Sequence, residues 1–161
     1  MTPGTSLTDG AVVDSSAIMS ILDKRLSAQA FREALEKTRP LFMGAPTYVE
    51  LSVVVLGKKS AAGLKPLDEL LAKFGVQIVA FDPAMAKHAQ AGCSAFGKGH
   101  NPASLNMGDL YSYGLAMAKG LPLFFEGLDF SQTNVGDAML MKGYRFDAQH
   151  LPQPLSPQIG S

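Results

Sequence analysis

Apolar positions in this chain follow two alternating rhythms. Short continuous apolar runs recur, and between them apolar residues return at helical spacing. The first run, Ala11–Val13, reads as a buried strand that ends in Asp14. A helix over Ser15–Leu22 begins at once, with Asp14 or Ser15 as its N-cap. Ser27 caps a second helix, whose apolar face carries Ala30, Phe31, Ala34 and Leu35, and Pro40 ends it. Residues 41–43 read as a second strand. Pro46 and Thr47 then open a helix that runs to Leu56 and stops at Gly57. Leu67, Leu70, Leu71 and Phe74 predict a helix over residues 65–74, closed by Gly75. Residues 76–80 form a third strand, and Asp82 caps a helix from Pro83 to about residue 95. Residues 97–102 are a loop by composition. Asn106 caps a helix from Met107 to about Lys119, which Gly120 ends. Residues 121–125 are a fourth strand, and a last short strand is read at Tyr144–Phe146.

Strands alternating with helices predict an α/β fold with a mostly parallel sheet covered on both faces. Right-handed crossovers bring all strand C-termini to one edge, where ligand chemistry collects in open α/β sheets. Residues 1–10, rich in Thr, Ser, Gly and Pro, read as a disordered leader. Residues 149–161, rich in Pro, Gln and Ser, read as a disordered tail, which leaves a domain over residues 11–148.

Composition narrows the picture. With 161 residues, 47% hydrophobic and 17% charged, the chain is long enough and apolar enough to bury a core. Its formal net charge is zero, so a broad basic surface for nucleic acid is not evident, and a polyanion would need a local patch or metal ions. Cys93 is the one cysteine, which excludes an internal disulfide and suits a reducing cytoplasm. Its Ala-rich helical surroundings suggest a small core residue. No apolar run approaches the ~20 residues of a membrane span, and no signal-peptide pattern opens the chain. His88 and His150 stand at no recognisable metal spacing.

Four acids fall where the carboxyl edge of the sheet belongs. Asp14 follows the first strand, and a cap and a ligand role are compatible there because each carboxylate oxygen has spare lone pairs. Glu50 is the only charged residue between Arg39 and Lys58, on an otherwise apolar helix. A lone carboxylate on such a helix calls for a cationic partner. Asp109 stands in the first turn of its helix, where the macrodipole favours acids. Asp129 lies past the fourth strand and beyond Gly127, whose turn can aim it inward. Glu126, at the strand end itself, competes for that role or points to solvent. Gathered carboxylates repel unless a cation neutralises them, and hard divalent ions suit all-oxygen ligands. Phosphodiester hydrolysis is the chemistry this favours.

The pattern as a whole resembles the PIN-domain ribonucleases, specifically the VapC-type toxins of bacterial toxin–antitoxin pairs. The residues that carry the resemblance are Val12-Val13-Asp14-Ser15-Ser16-Ala17 and the Glu50 helix opened by Pro46-Thr47. Gly97-Lys98-Gly99, residues 102–109 (PASLNMGD) and residues 125–133 (FEGLDFSQT) complete it. The resemblance implies a PIN-like three-layer α/β/α sandwich and an endoribonuclease dependent on Mg²⁺ or Mn²⁺. It also implies a VapB-like antitoxin and a homodimer. It assigns the metal-binding and catalytic acids to Asp14, Glu50, Asp109 and Asp129. Ser15, Ser16 and Asn106 would support them, and Lys98 and His100 would contact RNA. Glu126, Leu128 and Asn134 depart from the residues that relatives often carry. Two other readings remain open at this point. A phosphatase of the haloacid-dehalogenase type also places an Asp after its first strand, although it wants a second acid where Ser16 stands. An α/β interaction module without catalysis is the other.

Overall fold

The computed structural model describes residues 9–99 and 103–155. Its centre is a four-stranded, all-parallel sheet in the order β3-β2-β1-β4. The strands are β1 (Ala11–Val13), β2 (Leu41–Gly44), β3 (Val76–Val79) and β4 (Leu123–Phe124). The intervening helices are α1 (Ser15–Leu22), α2 (Ala28–Glu36), α3 (Ala45–Lys59), α4 (Leu64–Lys73), α5 (Pro83–Phe96) and α6 (Met107–Lys119). A short α7 (Ala138–Met141) precedes an antiparallel hairpin, β5 (Tyr144–Phe146) with β6 (Pro152–Pro154).

Strand alternation sorts side chains into two cores. Ala11, Val13, Leu41, Met43 and Phe124 point to one face, against Ile18, Phe31, Leu35, Leu51 and Leu67 of α1 to α4. Val12, Leu123 and Phe125 point to the other, against Met85 of α5 and Leu110, Tyr113 and Leu115 of α6. Burial on both faces explains why the strands read as continuous apolar runs. The result is the expected three-layer α/β/α sandwich.

Local chemistry sets the helix ends. Asp14 caps α1, and Asp82 caps α5 by accepting from the Met85 N–H at 2.9 Å. Gly120 ends α6 in the left-handed conformation that glycine adopts without strain. Asp82→Ala should cost about 1 kcal/mol. A thermal melt should read that loss as a Tm lower by roughly 2–4 °C.

The structure departs from the sequence reading at several places. Helix α3 passes Gly57 and ends at Lys59, where Ser60 takes a positive φ of 58°. Its buried stripe of Thr47, Leu51 and Val55 holds it on the sheet through that glycine. Strand β4 is shorter than residues 121–125. The Leu121 N–H instead closes α6 by donating to the Ala116 carbonyl, and Pro122 has no N–H to give. Cys93 is exposed on α5, not a core residue. The expected tail also contains order, because β6 pairs Gln153 and its flanking prolines with β5 in a separate two-stranded ribbon. Proline is tolerated there because the ribbon has no further strand to serve. Of the expected leader, residues 1–8 lie outside the described residues, as do residues 156–161 of the tail.

Candidate active site

Three helices and two strands converge at the carboxyl edge of the sheet. Asp14 leaves β1 and is almost wholly buried, at 4% exposure. Its Oδ2 accepts from the Ser16 N–H at 3.1 Å and from the Ser16 hydroxyl at 2.7 Å. Its Oδ1 accepts from the hydroxyl of Ser112 in α6. The Ser16 hydroxyl also accepts from the Glu126 N–H at 2.9 Å, which stitches the end of β1 to the end of β4. Ser15 turns the other way and donates to Glu50 Oε1 at 3.3 Å.

Glu50 reaches across from α3 onto the first turn of α6. A Cβ placed on Gly108 would lie 2.1 Å from Glu50 Oε2 and 2.6 Å from Oε1, so the absent side chain is the space the carboxylate fills. Asp109, the next residue, is held by a reciprocal cap. Its N–H donates to Asn106 Oδ1 at 2.9 Å, and its Oδ2 accepts from the Asn106 N–H at 3.0 Å. Asp129 is exposed in the turn after β4.

Electrostatics binds these positions together. Burial pushes the Asp109 carboxyl up to about 7, against the opposing pull of the Asn106 N–H. The charges of Asp14, Asp129 and Glu50 push in the same direction as burial. Burial and the charge of Asp14 also raise Glu50, with the Ser15 hydroxyl opposing them. None of the ion pairs among the described residues involves any of the four acids. Arg25 pairs instead with Asp23 and Glu126, and Lys58 with Asp23.

The acids are neighbours, but they do not close on a common centre. Among the described residues no three His, Cys, Asp or Glu side chains stand close enough to hold one ion between them. Separate hydrogen-bond anchors hold Asp14, Glu50 and Asp109 at their own positions. The donor chemistry nevertheless fits a hard divalent cation, because every candidate ligand is a carboxylate oxygen and the cluster lacks positive charge.

Glu126 does not point freely to solvent. Arg25 and Ser27 both donate to its carboxylate, and this pair was not visible in the sequence. Asn134 accepts from the Tyr113 hydroxyl at 2.7 Å, and Leu128 is exposed. Lys98 is exposed, with its backbone paired to Leu105, and His100 lies outside the described residues. Ser112 and Gly108 were also missed. Ser112 sits one turn beyond Asp109 on the same helix face, and that spacing could have flagged it.

Comparison with known proteins shows the family. The PIN domain family matches residues 11–136. Ribonuclease VapC42 of Mycobacterium tuberculosis is 39% identical over 128 residues, covering 79% of this chain and 98% of that protein. Ribonuclease VapC30 of the same species is 35% identical over 129 residues, with 80% and 98% coverage. A DNA-bound VapBC from Salmonella typhimurium shares the fold with a TM-score of 0.62 at 14% identity, covering 80% of this chain and 95% of that one. VapBC-1 from nontypeable Haemophilus influenzae does so at 0.63 and 18%, covering 80% and 97%. On the extent of the family match and the identity to these relatives, the chain belongs to the PIN domain family, among its VapC-type members.

Proposed function

We propose that this protein is an endoribonuclease toxin that hydrolyses RNA phosphodiester bonds with Mg²⁺ or Mn²⁺ held by Asp14, Glu50, Asp109 and Asp129. The observation that carries the reading is the buried Asp109 carboxyl, raised to about 7 within reach of three other acids and with no cation beside it. The names of the VapC relatives supply the substrate class. A divalent ion bound here would provide charge neutralisation and Lewis acidity toward a phosphate. The chain's own residues provide the frame. Ser16 and Ser112 hold both oxygens of Asp14, Ser15 steers Glu50, and Asn106 fixes Asp109. The hydroxyl and amide partners leave each carboxylate lone pairs for a cation.

The same hydrogen bonds argue against the phosphatase reading. Both Asp14 oxygens already accept from hydroxyls, and Ser16 stands where that chemistry wants a second acid. The partner is a VapB-like antitoxin, in keeping with the VapBC assemblies that share the fold. Val49, Val53, Val54 and Leu56 leave a row of exposed apolar side chains on α3, the kind of surface a second copy covers in a homodimer. The setting is the cytoplasm, and no helix among the described residues is long and apolar enough to cross a membrane.

The test is direct. Single-stranded RNA should be cut with Mg²⁺ or Mn²⁺ and left whole in chelator, and calorimetry should register the ion without RNA. Cleavage that proceeds undiminished in chelator would overturn the metal requirement, and a protein that binds no divalent ion and cuts nothing yet grips its partner would favour the interaction module.

A further inference from the structure

A cavity of about 300 Å³ opens between the α1–α2 turn and the C-terminal hairpin, with Glu126, just past β4, in its wall. Arg25, Phe31, Glu126, Phe146, His150 and Pro152 are among its walls. Two facts tie it to the site. Its Glu126 wall donates through the backbone N–H to the Ser16 hydroxyl, which itself donates to Asp14. Its far wall is the β5–β6 hairpin, which lies beyond residues 11–136, the part matched by the family. The cavity is therefore joined to the shared machinery but closed by a segment outside it.

The walls have the chemistry of nucleobase recognition. Phe146 and His150 stack with ring centroids 4.7 Å apart and planes 11° from parallel, and His150 is exposed. Aromatic stacks of this kind are the platforms on which unpaired bases settle. Arg25 and Ser27 hold the Glu126 carboxylate in place. An acceptor-only carboxylate favours a base edge that offers N–H donors. The Arg25 guanidinium, about half exposed, supplies positive charge for the adjoining phosphate. The volume stands at the low end of the roughly 300–1,000 Å³ of small-ligand sites, which suits one base.

We infer that this cavity is a specificity subsite that holds one unstacked base of single-stranded RNA beside the scissile phosphate. The inference rests on the ribonuclease reading for its substrate, but its test separates the two. The full chain is titrated with each of the four 5′-mononucleotides while the ring signals of Phe146 and His150 are followed by NMR. In parallel, a randomised RNA pool is cut with Mg²⁺ by wild type, His150→Ala and Phe146→Ala. His150 lies on an exposed turn, so its variant remains informative if Phe146→Ala destabilises the hairpin.

Saturable ring shifts should favour one nucleotide. His150→Ala should raise KM about ten-fold with kcat within about two-fold, the scale of one lost stacking contact. The base preference at one position beside the cut should flatten with it. Unchanged KM and unchanged preference in His150→Ala, with wild type active, would overturn the subsite and leave the nuclease standing. If wild type cuts no RNA, the nuclease reading falls and the titration alone decides. Saturable shifts then keep the base site, and their absence removes it.

Discussion

Asp109→Asn is expected to melt higher than the wild-type chain at pH 8 without divalent ions, and to cut RNA at least about 100-fold more slowly with them. Both effects arise from one carboxyl. In the folded protein it is raised to about 7, largely by burial, from an ordinary 3.8. Between those values the unfolded chain has released the proton and the folded chain has kept it. The folded state therefore binds more protons, and wild-type stability falls as pH rises from about 4 to about 7. Above 7 the penalty is constant. Allowing for solvent screening, it is on the order of 2 kcal/mol, or roughly 4–8 °C in Tm for a chain of this length. Asparagine carries no charge to bury and retains an oxygen for the Asn106 N–H. The variant's advantage should be near zero at pH 4, grow through the window and level off beyond pH 7. Melts across that range in chelator check it, and a constant difference at every pH would contradict burial of the charge as the cause. Adding Mn²⁺ at pH 8 should raise the wild-type Tm and leave the variant's nearly unmoved. The loss in cleavage follows because even a residue that only supports a metal ligand is worth about 10–100-fold.

Gly108→Ala separates positioning from folding. Alanine is the better helix former, by up to about 1 kcal/mol. The new methyl would nevertheless stand 2.1 Å from Glu50 Oε2, so one of the two groups must move. The carboxylate is the flexible end of a long side chain, and it should yield by swinging off the first turn of α6 and away from Ser15. The melting temperature should remain within a few degrees of wild type. Cleavage should fall by about 100-fold, the usual consequence of moving a reacting group by about an ångström. Steady-state kinetics beside circular dichroism makes the comparison. Full activity in Gly108→Ala would show that Glu50 need not rest where the structure has it.

Much of the scaffold was legible because its signals are local. Ala11–Val13 followed by Asp14, and Asn106 followed by Asp109, carry their strand end and cap within a few residues, so β1, α1 and α6 emerge with their observed limits. The isolation of Glu50 on an apolar helix was equally readable, since an unpartnered charge is visible in sequence. What escaped depends on residues far apart in the chain. Ser112 meets Asp14 across 98 positions, and Arg25 meets Glu126 across 101. Gly57 looked like a terminator because its cost to a helix is local, whereas the packing of Leu51 and Val55 that outweighs it is not. Strand β6 was hidden for the related reason that a segment with prolines at both ends gives no strand signal of its own, and becomes one only when β5 lies beside it.

The strand order β3-β2-β1-β4 makes β1 a watershed. The chain leaves it toward one flank and returns much later on the other, the routing that in open α/β sheets opens a crevice at the carboxyl edge where the order reverses. That opening is a product of backbone routing and owes nothing to the acids that border it. A descendant that lost every carboxylate would keep the crevice, and selection could turn a protein that cuts a strand into one that merely grips it without rebuilding the scaffold.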